Sequence, residues 1–565
     1  MSLTRRIAVA RGDQPADLLL KNARIVNTFT GEIEDGSVAI CDDRIAGIGD
    51  YQQAKEIIDL KGSYLSPGLI DGHTHIESSM LHPAQYAQAI VPRGTSSLVT
   101  DLHEITNVAG LDGIKFVARC AENLPLDMFF MVPSCVPATH LETSGAEIDA
   151  ANVKELLGWK NVIGLGEMMN FPGVIGGMEQ VIDKIEAARD RIIDGHAPGV
   201  SGNQLNAYIS AGIYSDHEST ARKEGEEKLR RGMHLMIREG SSEKNLAELL
   251  PLVTDKTYKR CLFVVDDRSC ADLLQDGDID AVVRKAIRLG LDPVRAIQLA
   301  TINTAEYFRL YDRGGIAPGY MANLITITDL AQLKIDMVFY QGKLVARSGE
   351  YLMPSQSAPA GELGNTVNVK PFDIDALKMP AEKASLPIIE IIPGQIVTKK
   401  SSGNVRTENG LIVADADNDI LKLVVVERHK STGNIGLGMV KGFGLKQGAL
   451  ASSIAHDSHN IVAVGTSDED IYAAVKEIEK LHGGLVVRSN GQIVASLPLP
   501  IAGLLSPEPL TKVVAAFQNV EKVAAGLGNL PPSPFALLSF VALPVIPELR
   551  LSDMGLVDVI AFKLI

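Results

Sequence analysis

Two histidines placed two residues apart, His73 and His75, are the first residues whose spacing suggests chemistry. Side chains at positions i and i+2 of a strand point to the same side, so both imidazoles could reach one metal ion. Such a pair also arises by chance and predicts little alone. Further metal-ligand types follow later apolar runs, at Glu167, His196, His217 and Asp266. Their recurrence in this order predicts a metal centre, because an alternation of strands and helices does not by itself require the strands to end in metal-ligand residues.

The elements that must position these residues alternate between strand-like and helix-like runs. Between about Leu65 and Asp267 we find eight short apolar runs, most of which end in polar or titratable residues. Eight βα units in roughly 250 residues are typical of a (β/α)8 barrel, whose catalytic groups lie at the carboxyl ends of the strands. The six candidate ligands fall at the ends of strands one, four, five, six and eight.

The regions on either side of this alternation have different patterns. Short apolar runs broken by Gly, Asn and Asp lie before and after the alternation and predict hairpins. A stretch rich in Pro, Gly and Ser follows the second set of these runs. We therefore predict an α/β fold with a TIM-like (β/α)8 barrel, a small β-sandwich built from both flanks of the barrel, and a C-terminal α/β or α+β domain. The predicted boundaries are 1–64 with 312–350 for the sandwich, 65–311 for the barrel, 351–370 for a linker and 371–565 for the C-terminal domain.

Composition excludes several classes of protein. The 565 residues are 46% apolar and 22% charged, as in soluble globular proteins, and the net charge of −15 disfavours nucleic acid as a partner. Five scattered cysteines without a C-x-x-C argue against a disulfide scaffold or a zinc ribbon. The longest uncharged stretch, 523–547, contains five prolines and cannot form a clean membrane-spanning helix. With no apolar leader segment at its start, we expect a cytoplasmic protein without a membrane partner.

Longer strings carry a resemblance to a known family. They are GLIDGHTH, HTHIESSM, DLHEI, GEMMN, GHAPG, SDHE, MIREGS, FVVDDR, RHKSTGNIGLGMVKGFG and SSIAHDSHNIVAVG. Together they resemble the amidohydrolase superfamily and, over nearly the whole chain, its adenine deaminase family. Glu167 stands where many relatives carry a carboxylated lysine, which disfavours dihydroorotase- or urease-like readings. Asn323 stands where the strand returning to the sandwich usually carries Asp.

The resemblance implies a binuclear hydrolase. One divalent cation would be held by His73, His75 and Asp266, the other by His196 and His217, with Glu167 as the bridge. Histidine and carboxylate ligands without thiolate suit Mn, Fe or Zn, and the family favours Mn or Fe. The implied reaction is hydrolysis of adenine to hypoxanthine and ammonia, in which water activated by the cations attacks C6. Adenine and water are the expected partners, and we expect a homo-oligomer, a dimer.

Further residues receive roles from their positions beside these ligands. Asp266 is expected to take the proton of the attacking water, Glu167 to act through the bridge, and Glu239 to protonate N1 of the ring. The expected substrate-binding residues are Glu77, His103, Glu104, Arg238, Asp267, His456, Asp457 and His459. For several of these a second interpretation stays open: Arg238 could pair with a carboxylate, Glu77 and the run Asp101–Glu104 could support a ligand histidine or an auxiliary metal, and residues 456–460 could form a solvated turn.

Other functions remain possible at this stage. Within the superfamily, the chain could be an N-acetylglucosamine-6-phosphate deacetylase, which needs a basic phosphate site, or a deaminase of another 6-substituted purine. A metal-free barrel that serves as a scaffold would belong to another class, but such proteins typically lose ligands. The resemblance implies that free adenine rather than adenosine is the substrate, and the sequence shows no recognisable ribose-binding motif.

Overall fold

The centre of the chain is a barrel of eight parallel strands. The computed structural model describes residues 2–354, 361–381, 385–393 and 395–565. In chain order, barrel strands 1 to 8 are Leu69–His75, Thr95–Asp101, Asp127–Val132, Val162–Met168, Ile192–Gly195, Ser215–Asp216, His234–Arg238 and Cys261–Val264 with its continuation Asp266–Asp267. The predicted TIM-like α/β barrel is confirmed.

The barrel is assembled from two hydrogen-bonded sheets that meet at strand 8. In one sheet strands 5, 4, 3, 2 and 1 lie in that order, with Asp266–Asp267 beside strand 1; in the other, strands 6 and 7 are followed by Cys261–Val264. Strands 5 and 6 are joined by a hydrogen bond that the amide of Gly195 donates to Ser215 Oγ (3.1 Å). All residues of strands 1 and 2 are buried, as expected for parallel strands covered on both faces. The carboxyl ends of the strands therefore meet at one end of the barrel.

Helices surround these strands. They are Pro83–Ile90, His103–Ala121, Ala150–Leu156, Phe171–Ile175, Glu179–Ala187, Gly202–Ser210, Arg222–Arg230, Leu246–Leu249, Cys270–Gln275, Ile279–Arg288, Pro293–Leu299 and Ile302–Tyr307, with short 3-10 turns at Ile76–Ser79, Val91–Arg93, Leu250–Leu252 and Tyr258–Arg260. A further helix, Leu3–Ala10, packs instead on the flanking strands Glu32–Cys41 and Arg44–Gly49. The helix at Ile279–Arg288 shows why they pack: it buries Ile279, Val282, Val283 and Ala286, spaced as one face of a helix. Within the described residues, no helix has both the length and the apolar character needed to cross a membrane.

The two flanks of the barrel join in a single nine-stranded sheet. Its order is Glu350–Tyr351, Lys343–Arg347, Lys334–Tyr340, Leu324–Asp329, Tyr64–Pro67, Ala16–Asn27, Glu32–Cys41 and Arg44–Gly49, with Ala54–Asp59 paired to Ala16–Asn27. Strand Tyr64–Pro67 runs directly into barrel strand 1 and pairs antiparallel with Leu324–Asp329. The sheet therefore fixes where the chain enters the barrel.

The C-terminal region is built on an eight-stranded mixed sheet. Its order is Thr398–Asn404, Ser385–Ile391, Ile435–Lys441, Ile420–Val426, Ile461–Gly465, Ala449–Ser452, Gly484–Ser489 and Gln492–Pro498. Helices Asp468–Leu481, Leu510–Ala525 and Pro534–Phe540, the 3-10 turn Ile374–Leu377, and two small three-stranded sheets (Met379–Pro380, Leu411–Ile412, Thr407–Glu408; Leu549–Ser552, Gly555–Asp558, Lys563–Leu564) complete it. The domain boundaries stay predictions, and residues 355–360 of the predicted linker lie outside the described residues.

Candidate active site

Barrel strands 1 and 8 bring three of the predicted ligands together. His73 and His75 point to the same side of strand 1, with their Nε2 atoms 3.2 Å apart. The parallel register pairs Asp266 with Thr74, so that Asp266 Oδ1 lies 3.1 Å from His75 Nε2 and 3.7 Å from His73 Nε2. These three buried residues form a group that could hold one metal ion.

Glu167 connects this trio to the histidines of strands 5 and 6. Its Oε1 lies 3.1 Å from His75 Nε2. Its Oε2 lies 2.6 Å from His196 Nδ1 and 3.2 Å from His217 Nε2. The two oxygens of one carboxylate thus face different histidines, which is the arrangement needed for a bridge between two cations.

The donor set and its electrostatics fit divalent cations. Burial alone would lower the pKa of His75, but Asp266 and Glu167 raise it well above its ordinary value. Burial would also raise the pKa of Glu167, yet His196, His217 and His75 hold it well below its usual range. The ionised carboxylates create a site that attracts positive charge, and imidazole with carboxylate suits Mn, Fe or Zn.

Carboxylates outside the ligand set orient it. Asp101 Oδ2 accepts a hydrogen bond from the amide of Glu167 (2.9 Å), and His75 Nδ1 donates to the carbonyl of Asp101 (3.0 Å). Asp194 Oδ2 lies 3.6 Å from His73 Nδ1. Such partners fix the orientation of ligand imidazoles. The sequence analysis missed Asp194, although it lies two residues before His196 at the end of a strand.

Arg238 joins two carboxylates beside the candidate metal site. Its Nη1 donates to Asp266 Oδ2 (2.5 Å) and also to Glu218 Oε1. This matches the interpretation of Arg238 as the partner of a carboxylate. Burial would raise the pKa of Asp266, but the guanidinium and nearby histidines hold it well below its usual range. Glu218, which follows His217 directly, received no role from the sequence.

The structure does not bring Glu239 or Glu77 to the cavity. Adjacent side chains of a strand point to opposite faces, so Glu239 faces outward because Arg238 faces inward, and its carboxylate pairs with Lys285. This position corrects its predicted role as the N1 proton donor. Glu77 is buried in the 3-10 turn Ile76–Ser79, and its carboxylate accepts from the amide of Ile105 (3.2 Å) in the first turn of the helix His103–Ala121. Burial raises its pKa to about 7. Its predicted contact with substrate is corrected accordingly.

The C-terminal region contributes a polar cluster to the barrel. His456 Nδ1 donates to Glu104 Oε1 (2.7 Å), and His459 Nε2 also pairs with Glu104. Asp457 Oδ1 lies 3.9 Å from His103 Nε2. All of residues 456–460 are buried, so the alternative of a solvated turn is wrong. Burial would lower the pKa of His456, but the charge of Glu104 raises it to about 9.

A cavity of about 380 Å³ lies between the metal-ligand cluster and the C-terminal region. The barrel lines it with His75, His103, Glu104, Met169, Phe171, Pro198, Gly199, Glu218, Thr220, Glu224, Arg238, Glu243, Asp266 and Asp267, together with the predicted ligands Glu167, His196 and His217. The C-terminal region lines it with Gln395, Ile396, Val397, His456, Asp457, Phe540, Leu543, Val545, Ile546 and Pro547. The ring of His456 stacks on Phe540, with centroids 4.6 Å apart. The space is therefore polar at its base and largely apolar on the C-terminal side.

Some residues of this site carried no usable sequence signal. Phe540 and the segment 545–547 are apolar residues in a proline-rich stretch, and nothing in their pattern marks a cavity wall. Cys135 follows barrel strand 3 and is grouped with His103 and Asp457, but its spacing matches no metal motif. Glu218 could have been found, because it adjoins a strand-end histidine.

Comparison with known proteins places the chain in a family. Residues 64–345 match the amidohydrolase family, and residues 395–563 match the adenine deaminase C-terminal domain. A relative named adenine deaminase from Dehalococcoides mccartyi is 62% identical over 564 residues, covering 100% of this chain and 99% of its own length. Adenine deaminase 2 of Carboxydothermus hydrogenoformans is 48% identical over 560 residues, covering 99% and 98%. The chain belongs to the adenine deaminase family of amidohydrolases.

Proposed function

We propose that the chain hydrolyses adenine to hypoxanthine and ammonia in the cavity between the barrel and the C-terminal region. The observation that carries this proposal is the meeting of six metal-ligand side chains from strands 1, 4, 5, 6 and 8 at the base of one cavity, within a chain of this family. Free adenine rather than adenosine is the proposed substrate, because the relatives that this chain matches over their full length are named adenine deaminases.

Two divalent cations fit the ligand set. His73, His75 and Asp266 would hold one, His196 and His217 the other, and Glu167 both. Bound cations of this kind lower the pKa of water towards neutrality and stabilise developing negative charge. Manganese or iron is the proposed identity, with zinc as the alternative.

Asp266 is the proposed proton acceptor. It is ionised and lies beside both His73 and His75, and a positioned carboxylate can take a proton in the transition state. In the proposed reaction the oxygen of water bonds to C6 of adenine while Asp266 takes one of its two protons, and the C6=N1 bond opens as N1 takes a proton from the acid His456. The C6–N6 bond then breaks: Asp266 gives its proton to the leaving amine, the C6 hydroxyl becomes a carbonyl and gives its remaining proton back to His456, and ammonia departs.

His456 replaces Glu239 as the proposed acid for a ring nitrogen. It lines the cavity, its Nδ1 is held by Glu104, and its Nε2 has no hydrogen-bond partner within the described residues. With a pKa of about 9 it is charged at neutral pH. Asp267 also lines the cavity and accepts from Ser78; burial and its neighbour Asp266 raise its pKa, so it can contact a second ring nitrogen as donor or acceptor.

The deacetylase alternative lacks a feature that it needs. A phosphorylated sugar requires a basic site, yet among the described residues that line the cavity Arg238 is the only lysine or arginine. That guanidinium is already paired with Asp266 and Glu218. The apolar walls formed by Phe171, Phe540 and segment 545–547 suit a flat heterocycle better than a sugar phosphate.

The experiment is metal analysis followed by product analysis. We expect two divalent cations per chain, and hypoxanthine and ammonia in equal amounts from adenine in the presence of Mn or Fe. A rate with adenosine comparable to that with adenine would contradict the proposed substrate. Absence of ammonia from adenine at full metal loading would contradict the proposed reaction. A cytoplasmic homodimer is proposed with it, and sedimentation of the loaded protein would test the dimer.

A further inference from the structure

Two fully buried arginines lie in the C-terminal region. Arg428 and Arg550 have 0% exposure and are the largest fully buried side chains among the described residues. The guanidinium group of each hydrogen-bonds only to backbone carbonyls, and neither forms an ion pair with a carboxylate within the described part of the chain. Burial lowers the pKa of each to about 9, so both remain protonated at neutral pH.

Arg428 holds the segment that carries the polar side of the cavity. Its Nε donates to the carbonyl of His459, and its backbone amide donates to Asn460 Oδ1 (3.2 Å). Its Nη1 and Nη2 donate to the carbonyls of Thr366 (3.4 Å) and Ala502 (3.1 Å), which tie the same guanidinium to two neighbouring segments. The neighbouring His429 Nε2 donates to the carbonyl of Ser458 (2.7 Å). These bonds fix residues 456–460, which we name the polar wall, and so fix the position of His456 against Glu104.

Arg550 holds the segments that form the apolar side. Its Nε donates to the carbonyl of Ile546 (2.7 Å), and its Nη2 donates to the carbonyls of Ile396 (2.6 Å) and Pro547 (3.1 Å). All three acceptors belong to residues that line the cavity. We name residues 395–397 and 545–547 the apolar wall.

Stability alone does not account for these arginines. Burying a charge without an opposite charge is costly, and buried charged groups can often be replaced by apolar residues of similar volume without loss of stability. Irregular segments, however, need donors for their buried carbonyls, and a guanidinium offers five N–H groups in a fixed geometry. An arginine therefore suits the task of holding a loop in one position against the cavity.

We propose that Arg428 and Arg550 are positioning residues that set the two walls of the active-site cavity separately. Arg428 acts through His456, so that it affects the chemical step. Arg550 acts through the apolar wall, whose contacts with the base are the same in the bound substrate and in the transition state. A change at Arg550 therefore affects binding of the base and not the chemical step. This inference rests on the proposed function.

The test is a comparison of steady-state kinetics for Arg428→Lys and Arg550→Lys, with metal content and Tm. For Arg428→Lys we expect kcat to fall at least about tenfold and KM to change less than about threefold. For Arg550→Lys we expect KM to rise at least about tenfold while kcat changes less than about threefold. Both variants should keep two metals per chain, since neither arginine contacts a ligand.

A second pair of variants keeps the inference testable if Arg428→Lys does not fold. His429 is only half-buried, and Gln at this position retains a donor that can reach the carbonyl of Ser458. We expect His429→Leu to lower kcat with two metals retained, and His429→Gln to recover most of the loss.

Lys422→Met is the matched control. Lys422 is a buried cation in strand Ile420–Val426 of the eight-stranded sheet, and its Nζ donates to the carbonyl of Leu377 (3.0 Å) and to Asp468, neither of which lines the cavity. This variant should change Tm without changing kcat or KM. A merely structural role would lower kcat and raise KM together in both arginine variants, in proportion to the decrease in Tm, and that result would overturn the inference. The inference is also overturned if kcat of His429→Gln is no higher than kcat of His429→Leu. Turnover of adenine by the unmodified protein tests the proposed function. The inference is tested separately, because it concerns only how kcat and KM of each variant compare with those of the unmodified protein.

Discussion

The barrel and the C-terminal region contribute to one cavity by different means. The barrel places its groups by strand register: His73 and His75 share a face of strand 1, and Asp266 is set beside them by pairing with Thr74. The C-terminal region places His456 and the apolar wall on irregular segments held by buried arginines. The comparison shows that Asp266 and the predicted metal ligands can be located from the periodicity of the sequence, whereas His456 and the apolar wall reach the cavity only through tertiary contacts.

The largest expected effect lies on the barrel side. Replacing Asp266 by Asn keeps the shape of the side chain but removes its basic oxygen, and groups of this kind contribute about 10² to 10⁴ in rate. We expect kcat of Asp266→Asn to fall at least about 10²-fold with the barrel still folded. Steady-state kinetics, metal analysis and circular dichroism would measure this.

Asp267→Asn is the control for that variant. Asp267 lines the cavity and accepts from Ser78 rather than from a ligand histidine. It should keep both metals and bind adenine more weakly. If Asp267→Asn loses metal and activity while Asp266→Asn retains a near-normal kcat, the two roles must be exchanged.

A smaller effect is expected on the C-terminal side. His456→Gln removes a charged donor from the cavity, and hydrogen bonds to charged groups are worth about 1.5–3 kcal/mol. That corresponds to a decrease in kcat of roughly 10- to 100-fold, with two metals retained. Loss of metal in this variant would show that the C-terminal region supports the metal site as well, and would remove the distinction between the two regions.

The pH dependence of kcat tests the role of His456 in the C-terminal region. His456 is charged below a pKa of about 9, which Glu104, Asp267 and Asp457 raise against the effect of burial. The charged form is lost as pH rises through this value, so kcat should fall above about pH 9. In Glu104→Gln the largest raising charge is gone, and this decrease should move to lower pH. An unchanged pH–kcat profile in Glu104→Gln would contradict the role of His456.

The smallest effect is expected at Glu239. Its buried carboxylate pairs with Lys285 and accepts from the amide of Leu246 (3.2 Å), and it does not line the cavity. Breaking a buried pair costs folding free energy, so Glu239→Gln should lower Tm while kcat changes by less than about fivefold. A decrease comparable to that of Asp266→Asn would restore Glu239 as a catalytic group.

The barrel and the meeting of the six candidate ligands at one of its ends could be predicted from the sequence, because both depend on local pattern. The alternation of apolar runs and helices indicates the fold, and a residue at the end of a parallel strand must lie at the same end of the barrel. The place of Glu239 outside the cavity could also have been predicted, because adjacent side chains point to opposite faces and Arg238 precedes it. The apolar wall could not be predicted, since Ile396 and Ile546 resemble any buried aliphatic residue and approach the site only through the fold.

The central claim is that the barrel would hold both metals and the proton acceptor Asp266, whereas the C-terminal region would supply the acid His456 and the walls of the cavity without holding a metal. Metal content and kcat measured side by side for Glu167→Gln and His456→Gln test it most directly. A neutral amide is a poor bridge between two cations, whose mutual repulsion is then uncompensated. We predict that Glu167→Gln loses one metal per chain together with its activity, whereas His456→Gln keeps two metals with a reduced kcat. Two full equivalents of metal in Glu167→Gln, or loss of metal in His456→Gln, would contradict the account.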